Sequence, residues 1–235
     1  MKSDFLKLLE ETLPFSAFSS AELTEIAALA QHRQYREDEF VTLYGSSWPY
    51  LAIVEGGLFQ ALKESPEGRA LSVLTLERGS IFWGLTFFVE SATMPVSLKV
   101  ETDGGLALWP RDALLPYLIE EGEALWALSQ QLVLRMQQAS MIVEDLAFQP
   151  IAARLAKLLL KQYPRAGSEP VQRDLTLDEM AARVGTTREM ICRVLYRFAD
   201  DQLIHITRTE FTLMDKDQLS QLAGGTALQQ QDNGT

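Results

Sequence analysis

Apolar positions change their spacing along the chain and divide it into a helical start, a β-rich middle and a helical end. Residues 4–32 carry apolar side chains near helical spacing, broken at residues 15–22, and Ser20 is the expected N-cap of the second helix. From about residue 39 to 109, short apolar runs alternate with turns rich in glycine, serine and proline, and residues 96–101 alternate strictly. This middle part predicts a small β-barrel or β-sandwich.

A long apolar stripe follows residue 110 and predicts a helix of about seven turns. Its members are separated by three or four positions, and several glutamines lie off it. We expect such a helix to pair with a second copy of the chain; the alternative is that it packs on its own domain. The stripe consists of Leu125, Leu128, Leu132, Met136, Ala139, Val143 and Leu146.

The C-terminal part combines helical and alternating patterns. Residues 151–162 predict a helix, followed by a loop at 163–170 that contains proline and glycine. Residues 175–204 predict two further helices, and residues 205–213 alternate in the manner of a β-hairpin. The polar, glutamine-rich end from 224 to 235 is expected to be disordered.

Two capping motifs flank a glycine between these two helices. Thr176 and Glu179 have the spacing of a capping box, and Thr186 and Glu189 have the same spacing in the second helix. Gly185 is expected to end the first helix, because glycine takes the left-handed conformation without a steric penalty. Two capped helices joined by a glycine turn predict a helix-turn-helix, and the hairpin after it makes a winged helix.

A projection of the second helix at 100° per residue gives it two faces. One face is apolar, and the other carries Arg188, Glu189, Arg193 and the small thiol of Cys192. Arginine donates to guanine O6 and N7, and a carboxylate accepts from cytosine N4, so this face suits readout of the major groove. The alternative is that the glutamate only caps the helix and the arginines are only solvated. The residues expected near the DNA backbone or groove are Thr176, Thr186, Thr187, Cys192 and Arg197.

Charge is distributed unevenly between the two halves of the chain. The net charge of −11 argues against a general nucleic-acid binder. Residues 1–147 hold 10 basic and 21 acidic side chains, whereas residues 148–235 hold 11 of each. Residues 150–197 hold nine basic and five acidic side chains, so a polyanionic partner is expected to meet the second half. A solvated helix surface is the alternative interpretation of those basic residues.

The sequence offers few side chains for catalysis or metal binding. It has one cysteine and two histidines, no glycine-rich phosphate loop, no metal-ligand cluster and no Ser/His/Asp arrangement beyond chance. We therefore expect no enzyme activity and no metal site. No apolar run approaches the roughly 18 residues that cross a bilayer, and the start lacks the apolar region of a signal peptide. A soluble, cytoplasmic protein without a membrane partner is expected.

Over about residues 13–217, the chain resembles the Crp/Fnr family of bacterial transcription regulators. The strongest similarity is Val184 to Leu195, which reads VGTTREMICRVL. The supporting phrases are Leu13-Pro14-Phe15-Ser16, Glu55-Gly56-Gly57, and Asp145-Leu146-Ala147 leading into Ala153-Arg154-Leu155-Ala156.

The resemblance implies an α+β fold with a defined order of domains. These are an N-terminal β-roll sensor domain, of the double-stranded β-helix or jelly-roll type, at 1–117, and a dimerisation helix with its hinge at 118–147. A winged helix-turn-helix domain follows at 148–222, with a disordered tail at 223–235. The implied partners are double-stranded DNA, a second copy of the chain, and RNA polymerase through the surface around residues 161–169.

The resemblance also assigns the base-reading residues. Arg188, Glu189 and Arg193 match the family's three base-reading positions, so guanines are expected opposite the two arginines and a cytosine opposite the glutamate. Cys192 stands where most relatives have glycine or serine. Control is expected to be a two-state shift in the hinge near residues 143–148.

The sensor half departs from the cyclic-nucleotide binders of the family. They carry a Gly-Glu pair on the phosphate-binding loop and an Arg-Ser or Arg-Thr pair after it, whereas this chain has Leu85 in place of the glutamate and Met94-Pro95 in place of the later pair. Because a buried phosphodiester without a cation is costly, the sequence disfavours cAMP and cGMP. One cysteine disfavours an iron–sulfur cluster, and haem stays open with His32 and His205 as the available imidazoles.

The segment that replaces the nucleotide loop is strongly apolar, and two interpretations stay open. It either closes a vestigial pocket as plain core or forms a pocket for a small apolar or aromatic effector or an apolar cofactor, in which the indole N–H of Trp83 would be a polar handle. The candidate pocket residues are Phe82, Trp83, Leu85, Phe87 and Met94.

Two further functions remain as alternatives to an effector-controlled regulator. A regulator of the same fold could work without an effector or be tuned by oxidation of Cys192, whose place near a helix N-terminus and two arginines favours the thiolate. A metabolite-binding protein could instead use its winged helix for protein contacts.

Overall fold

The computed structural model describes residues 2–66, 69–164, 170–207 and 209–224 and divides into two compact units. One unit comprises Met1–Lys63 with Val73–Ala139, and the other comprises Glu64–Ser72 with Ser140–Thr235. Both combine helices with an antiparallel sheet, so the α+β prediction is confirmed. None of the helices within the described residues has the length and apolar character needed to cross a membrane.

Two helices open the first unit. Helix α1 spans Lys2–Glu10, and helix α2 spans Ser20–Leu29 after a short 3-10 turn. The N-cap of α2 is Ser19, not the predicted Ser20, because the carboxylate of Glu22 is three residues after Ser19 and closes a capping box with it. Helix α2 therefore begins one residue earlier than predicted.

One sheet forms the β-roll, and most of its residues belong to the first unit. Strand β6 is antiparallel to β1, β2 and β3, strand β5 is antiparallel to β3, and β4 is the other neighbour of β3. The strands are β1 Gln31–Tyr35, β2 Phe40–Thr42, β3 Tyr50–Glu64, β4 Ala70–Leu76, β5 Ile81–Trp83 and β6 Ser97–Pro110.

The two long strands pair irregularly where they face each other near Gly57. This residue has φ +81°, and a Cβ there would lie 2.6 Å from the carbonyl oxygen of Asp103, so only glycine fits. The pairing register of β3 with β6 shifts between Val54 and Phe59. Such bulges increase local twist and curl a sheet into a roll.

The main error in the predicted order of elements concerns strand β1, whose first two residues were predicted to be helical. Residues 31 and 32 were included in the helical start, but they pair with Leu108 and Ala107 of β6. The side chains of β1 are mostly exposed and polar, so the strand has no alternating apolar pattern that a sequence could reveal.

The apolar core of the first unit consists of two clusters. One contains Phe15, Phe87 and Trp109, and the indole N–H of Trp109 donates to the carbonyl oxygen of Ile26 at 2.7 Å. The other fills the roll and includes Phe59, Trp48, Phe82, Met94, Leu98 and Leu106. Helix α3, Leu85–Phe88, directly follows the Gly84 turn after β5.

The long helix, α5, spans Gly122–Phe148, and helix α4, Arg111–Glu120, precedes it. Helix α5 starts at residue 122, four residues after the predicted start at residue 118, because α4 continues to Glu120 and Glu121 is extended. Leu128 is buried in the first unit's own core, so at this position the alternative holds and Leu128 is not available to the predicted dimer stripe. The predicted stripe residues that are exposed are Leu125, Leu132, Met136, Ala139, Val143 and Leu146.

The second unit forms a winged helix. Its helices are α6 Ile151–Gln162, α7 Leu177–Val184, α8 Arg188–Asp200 and α9 Lys216–Gly224, and its strands are β7 Val171–Gln172, β8 Ile204–Ile206 and β9 Glu210–Leu213. The predicted hairpin is present as β8 and β9, with β7 as a third strand in the order β7-β9-β8. Helix α9 includes residues 223 and 224, so the predicted tail starts too early. The rest of that tail, and residues 165–169 of the predicted loop and polymerase surface, lie outside the described residues.

Candidate nucleic-acid interface

The turn between α7 and α8 is fixed by backbone geometry at both of its sides. Thr176 caps α7, where its hydroxyl accepts from the N–H of Glu179 at 3.2 Å and its own N–H donates to the Glu179 carboxylate at 2.5 Å. Gly185 ends α7 with φ +73° and ψ +49°, as predicted. A Cβ at Gly185 would lie 2.6 Å from Cδ2 of Leu146, so space as well as conformation requires glycine.

The N-cap of α8 is Thr187, and the predicted capping box between Thr186 and Glu189 is wrong. The hydroxyl of Thr187 accepts from the N–H of Met190 at 3.3 Å. Because a capping box joins the N-cap to the third helical residue, a cap at Thr187 pairs with Met190, which has no carboxylate. Glu189 is thereby released from the cap and extends from the first turn of α8.

Helix α8 has the two faces that the projection predicts. Arg188, Glu189 and Arg193 are exposed, whereas Cys192 is half-buried. On the opposite side, Ile191, Val194, Leu195 and Phe198 are buried in the core of the second unit, and Met190 is half-buried. The apolar face therefore anchors the helix and leaves its charged face to solvent.

Two ion pairs hold the arginines in the free protein. The guanidinium of Arg188 lies 3.1 Å from the carboxylate of Asp178 on α7, and that of Arg193 lies 3.0 Å from the carboxylate of Glu189. All four side chains are more than half exposed. Exposed ion pairs contribute about 0–1 kcal/mol to stability. The free-energy cost of exchanging them for contacts to another polar surface is therefore low.

The residues expected near a DNA backbone lie around the same helix. Thr176 and Thr187 are exposed at the N-termini of α7 and α8, and Thr186 is half-buried in the turn between them. Arg197 is exposed and makes no ion pair with a carboxylate of the described residues. Helix N-termini and a free guanidinium are the groups that phosphates accept hydrogen bonds from.

Tyr196 was missed by the sequence analysis although it lies on the same face. Its side chain is 69% exposed. On a projection at 100° per residue, with Arg188 at 0°, it falls at about 80°, between Cys192 and Glu189. This angle could have assigned Tyr196 to the charged face, but an aromatic side chain on an amphipathic helix is easily assigned to the core.

Arg154 was also missed as a functional candidate. Its guanidinium donates to the carbonyl oxygens of Asp145 at 3.1 Å and Gln149 at 2.9 Å, at the end of α5, and to that of Val184 at 2.9 Å, at the end of α7. Burial lowers the pKa of this guanidinium. Arg154 thus donates to carbonyl groups at the ends of two helices, and Asp145 lies within the segment predicted as the hinge.

A small cavity lies in the first unit at the predicted effector pocket. Its volume is about 160 Å³. Phe82, Trp83, Leu85 and Met94 line it as predicted, but Phe87 does not, because its side chain is fully buried in the core cluster of Trp109. The other lining residues are Leu74, Ile81, Pro95, Val96 and Arg135.

The two histidines lie in different units and are both exposed. One ring nitrogen of His32 lies 2.9 Å from the carboxylate of Glu55. Within the described residues, no group of three or more His, Cys, Asp or Glu side chains could hold a metal ion.

Comparisons with known proteins match both units. A family model described as the Crp-like helix-turn-helix domain matches residues 153–222. The CRP-like cAMP-activated global transcriptional regulator of Mycobacterium tuberculosis is 26% identical over 214 residues, which cover 88% of this chain and 95% of the relative. The cAMP-activated regulator Vfr of Pseudomonas aeruginosa is 27% identical over 193 residues, or 78% of this chain and 89% of Vfr.

Solved structures give the same result for the fold. The c-di-GMP-responsive global regulator CLP of Xanthomonas campestris superposes with a TM-score of 0.73 at 25% identity, covering 84% of this chain and 100% of CLP. A Crp/Fnr-family regulator from Eubacterium rectale, at 17% identity, superposes with a TM-score of 0.74 and covers 89% of this chain and 96% of its own. The family model thus identifies residues 153–222 as a Crp-like helix-turn-helix domain, and the similarities over most of the chain support a DNA-binding transcription regulator of the Crp/Fnr type.

Proposed function

We propose that the protein reads DNA sequence through the exposed face of α8. The observation that carries the proposal is that Arg188, Glu189 and Arg193 are exposed on one side of a helix whose other side is buried. Arginine suits guanine and glutamate suits cytosine in the major groove, and each good contact discriminates by about 1–3 kcal/mol. Thr176, Thr187 and Arg197 then contact phosphates and set the position of the helix in the groove.

The protein acts as a homodimer through α5. The exposed side of this helix carries Leu125, Leu132, Met136 and Val143, with Trp126 adjacent to them. Large apolar side chains in one exposed stripe are typical of a helix that pairs with a second helix. A two-fold dimer presents two copies of α8, so its DNA site is a palindrome with half-sites about 10 base pairs apart.

A small effector other than a cyclic nucleotide controls the dimer. Relatives are named for activation by cAMP, and CLP for its response to c-di-GMP. In this chain Leu85, Met94 and Pro95 line the cavity where the nucleotide binders carry a glutamate and an Arg-Ser or Arg-Thr pair. A volume of about 160 Å³ is also well below the roughly 300–1,000 Å³ of sites for larger ligands. Contact with RNA polymerase near residues 161–169 is part of the same proposal.

Selection of bound sites from random duplex DNA tests this function. The full-length protein should enrich a palindrome with G·C pairs at the positions that face Arg188, Glu189 and Arg193. A triple variant with alanine at these three positions serves as the control and should enrich no sequence, while its far-UV circular dichroism stays that of the wild type. Enrichment of the same palindrome by the variant would refute the assignment of the reading residues, and the absence of enrichment by the wild type would refute sequence-specific binding.

A further inference from the structure

The cavity in the first unit is apolar except at one position. Trp83, Leu85 and Met94 are among the side chains that line it, and the only charged lining residue is Arg135 of α5. Its volume of about 160 Å³ is close to that of apolar protein cavities of about 150 Å³ that bind benzene. The space therefore suits one six-membered ring or an aliphatic group of the same size.

Arg135 is a half-buried cation without an acidic partner. Its guanidinium donates to the carbonyl oxygen of Ile81 at 3.4 Å and to the side-chain oxygen of Gln138 at 3.0 Å. No carboxylate within the described residues lies at ion-pair distance from it. Desolvation lowers the pKa of Arg135, which reflects the cost of burying its charge.

We propose that this cavity binds a small aromatic carboxylate, with the ring among the apolar side chains and the carboxylate on the guanidinium of Arg135. The proposal rests on the proposed function, since it names the chemical class of the effector. A carboxylate forms two parallel hydrogen bonds with a guanidinium, which is the geometry that favours arginine over lysine. Trp83 also lines the cavity, and its indole N–H, which has no acceptor within the described residues, is available as a further donor.

The charge distribution around Arg135 favours an anion on the cavity side. Arg135 also borders a larger groove of about 610 Å³, whose lining includes Glu11, Glu77 and Arg78. In the groove the two carboxylates offset the charges of Arg78 and Arg135, whereas no acidic residue offsets Arg135 in the lining of the cavity. The cavity therefore suits an anion with an apolar body better than the groove does.

The position of Arg135 on α5 connects the ligand to the proposed dimer helix. It directly precedes Met136, and Leu132 lies one turn before it, both of them exposed. A ligand that binds one position of Arg135 better than another shifts the population of α5 arrangements toward that position. Occupation of the cavity should therefore change the affinity of the dimer for its DNA site.

Calorimetric titration of the full-length protein with benzoate, phenylacetate and toluene tests the proposal. At least one of the two carboxylates should bind, and it should bind at least tenfold more tightly than toluene, which has the same apolar body without the charge. In Arg135→Met the carboxylate should lose that advantage, whereas Arg78→Met, a cation outside the cavity, should bind it as the wild type does. Val96→Phe, which fills the cavity, should bind neither kind of ligand.

The outcomes separate this inference from the proposed function. If neither carboxylate binds at millimolar concentration, or if the preferred carboxylate binds Arg135→Met as tightly as wild type, the ligand class is wrong, even where DNA selection still yields a palindrome. If a carboxylate binds as described while no DNA sequence is enriched with or without it, the cavity assignment stands and the regulator function fails. The comparison of the two carboxylates with toluene needs no variant, so a substitution that unfolds the protein does not remove the test.

Discussion

The guanidinium of Arg193 lies 3.0 Å from the carboxylate of Glu189, one helical turn earlier on α8. Both side chains are exposed, so the pair contributes only about 0.3–0.5 kcal/mol to the folding stability of the free protein. Base contacts discriminate by about 1–3 kcal/mol each. The pair therefore orients both side chains toward solvent without competing strongly with DNA.

Arg193→Ala should relax sequence specificity at one base pair of each half-site. The loss of a bidentate guanine contact should cost about 1–3 kcal/mol of binding free energy for the preferred site and little for the other three bases at that position. Competition binding with the four possible base pairs at each position measures this difference. Equal losses for all four would mean that Arg193 contacts only the backbone.

Arg197→Ala is the matched control for that measurement. Arg197 is exposed on the same helix but is expected to contact a phosphate. Its removal should weaken binding to all sequences by a similar factor and reduce the slope of log affinity against log salt by about one. A change in base preference in this variant would assign Arg197 to base readout instead.

Leu132→Glu should convert the proposed dimer into monomers. Leu132 lies in the exposed apolar stripe of α5, 41% exposed in the single chain, and a charge at that position would be buried against the same charge of the second copy. Sedimentation velocity at several concentrations measures the change. A dimer that persists in this variant would place the interface elsewhere.

Leu134→Glu separates a specific interface from a general effect of charge on the helix. Leu134 is 49% exposed on α5 and lies about 160° from Leu132 around the helix axis. This variant should sediment as the wild type does. Dissociation of both variants would mean that the helix itself is destabilised.

The α8 face could be predicted because helical periodicity fixes the angle of every side chain once the helix is located. Burial of Ile191, Val194 and Phe198 against exposure of Arg188 and Arg193 follows from that periodicity alone. The N-cap of α8 could not be predicted with the same precision, because Thr186 and Thr187 both offer a hydroxyl. Only the hydrogen bond to Met190 selects the second.

The sensor half was harder to predict, because a run of apolar residues does not show which side chains line a cavity and which are buried in the core. Phe82 and Phe87 come from the same run, yet one lines the cavity and the other is core. Leu128 fits the dimer stripe by spacing and is nevertheless buried in its own unit. Arg135 was absent from the candidate pocket, since a basic residue on a long helix ordinarily faces solvent.

Gly185→Ala should destabilise the winged helix. A residue with a side chain at φ +73° pays about 1–2 kcal/mol for the left-handed conformation, and its Cβ would meet Cδ2 of Leu146 at 2.6 Å. The urea midpoint, followed by circular dichroism, should fall. Gly122→Ala is the control, because no atom lies within 4 Å of a Cβ there and its φ is not in the left-handed range, so its midpoint should stay or rise slightly. An unchanged midpoint in Gly185→Ala would show that the turn relaxes at no cost.

Thr187→Ala should cost more stability than Thr186→Ala, which distinguishes the observed cap from the predicted one. Removing the Thr187 hydroxyl leaves the N–H of Met190 without its acceptor, at a typical cost of about 1 kcal/mol for a lost N-cap. Thr186 is joined to Ala181 through its backbone N–H, which alanine retains, so that substitution should change the free energy of unfolding by less than half as much. Urea unfolding of the two variants side by side measures the difference.

A larger loss of stability in Thr186→Ala would restore the capping box with Glu189 and shift the start of α8 by one residue. Such a shift would rotate Arg188 and Arg193 by about 100° relative to the cap, so the same measurement also tests the orientation of the reading face.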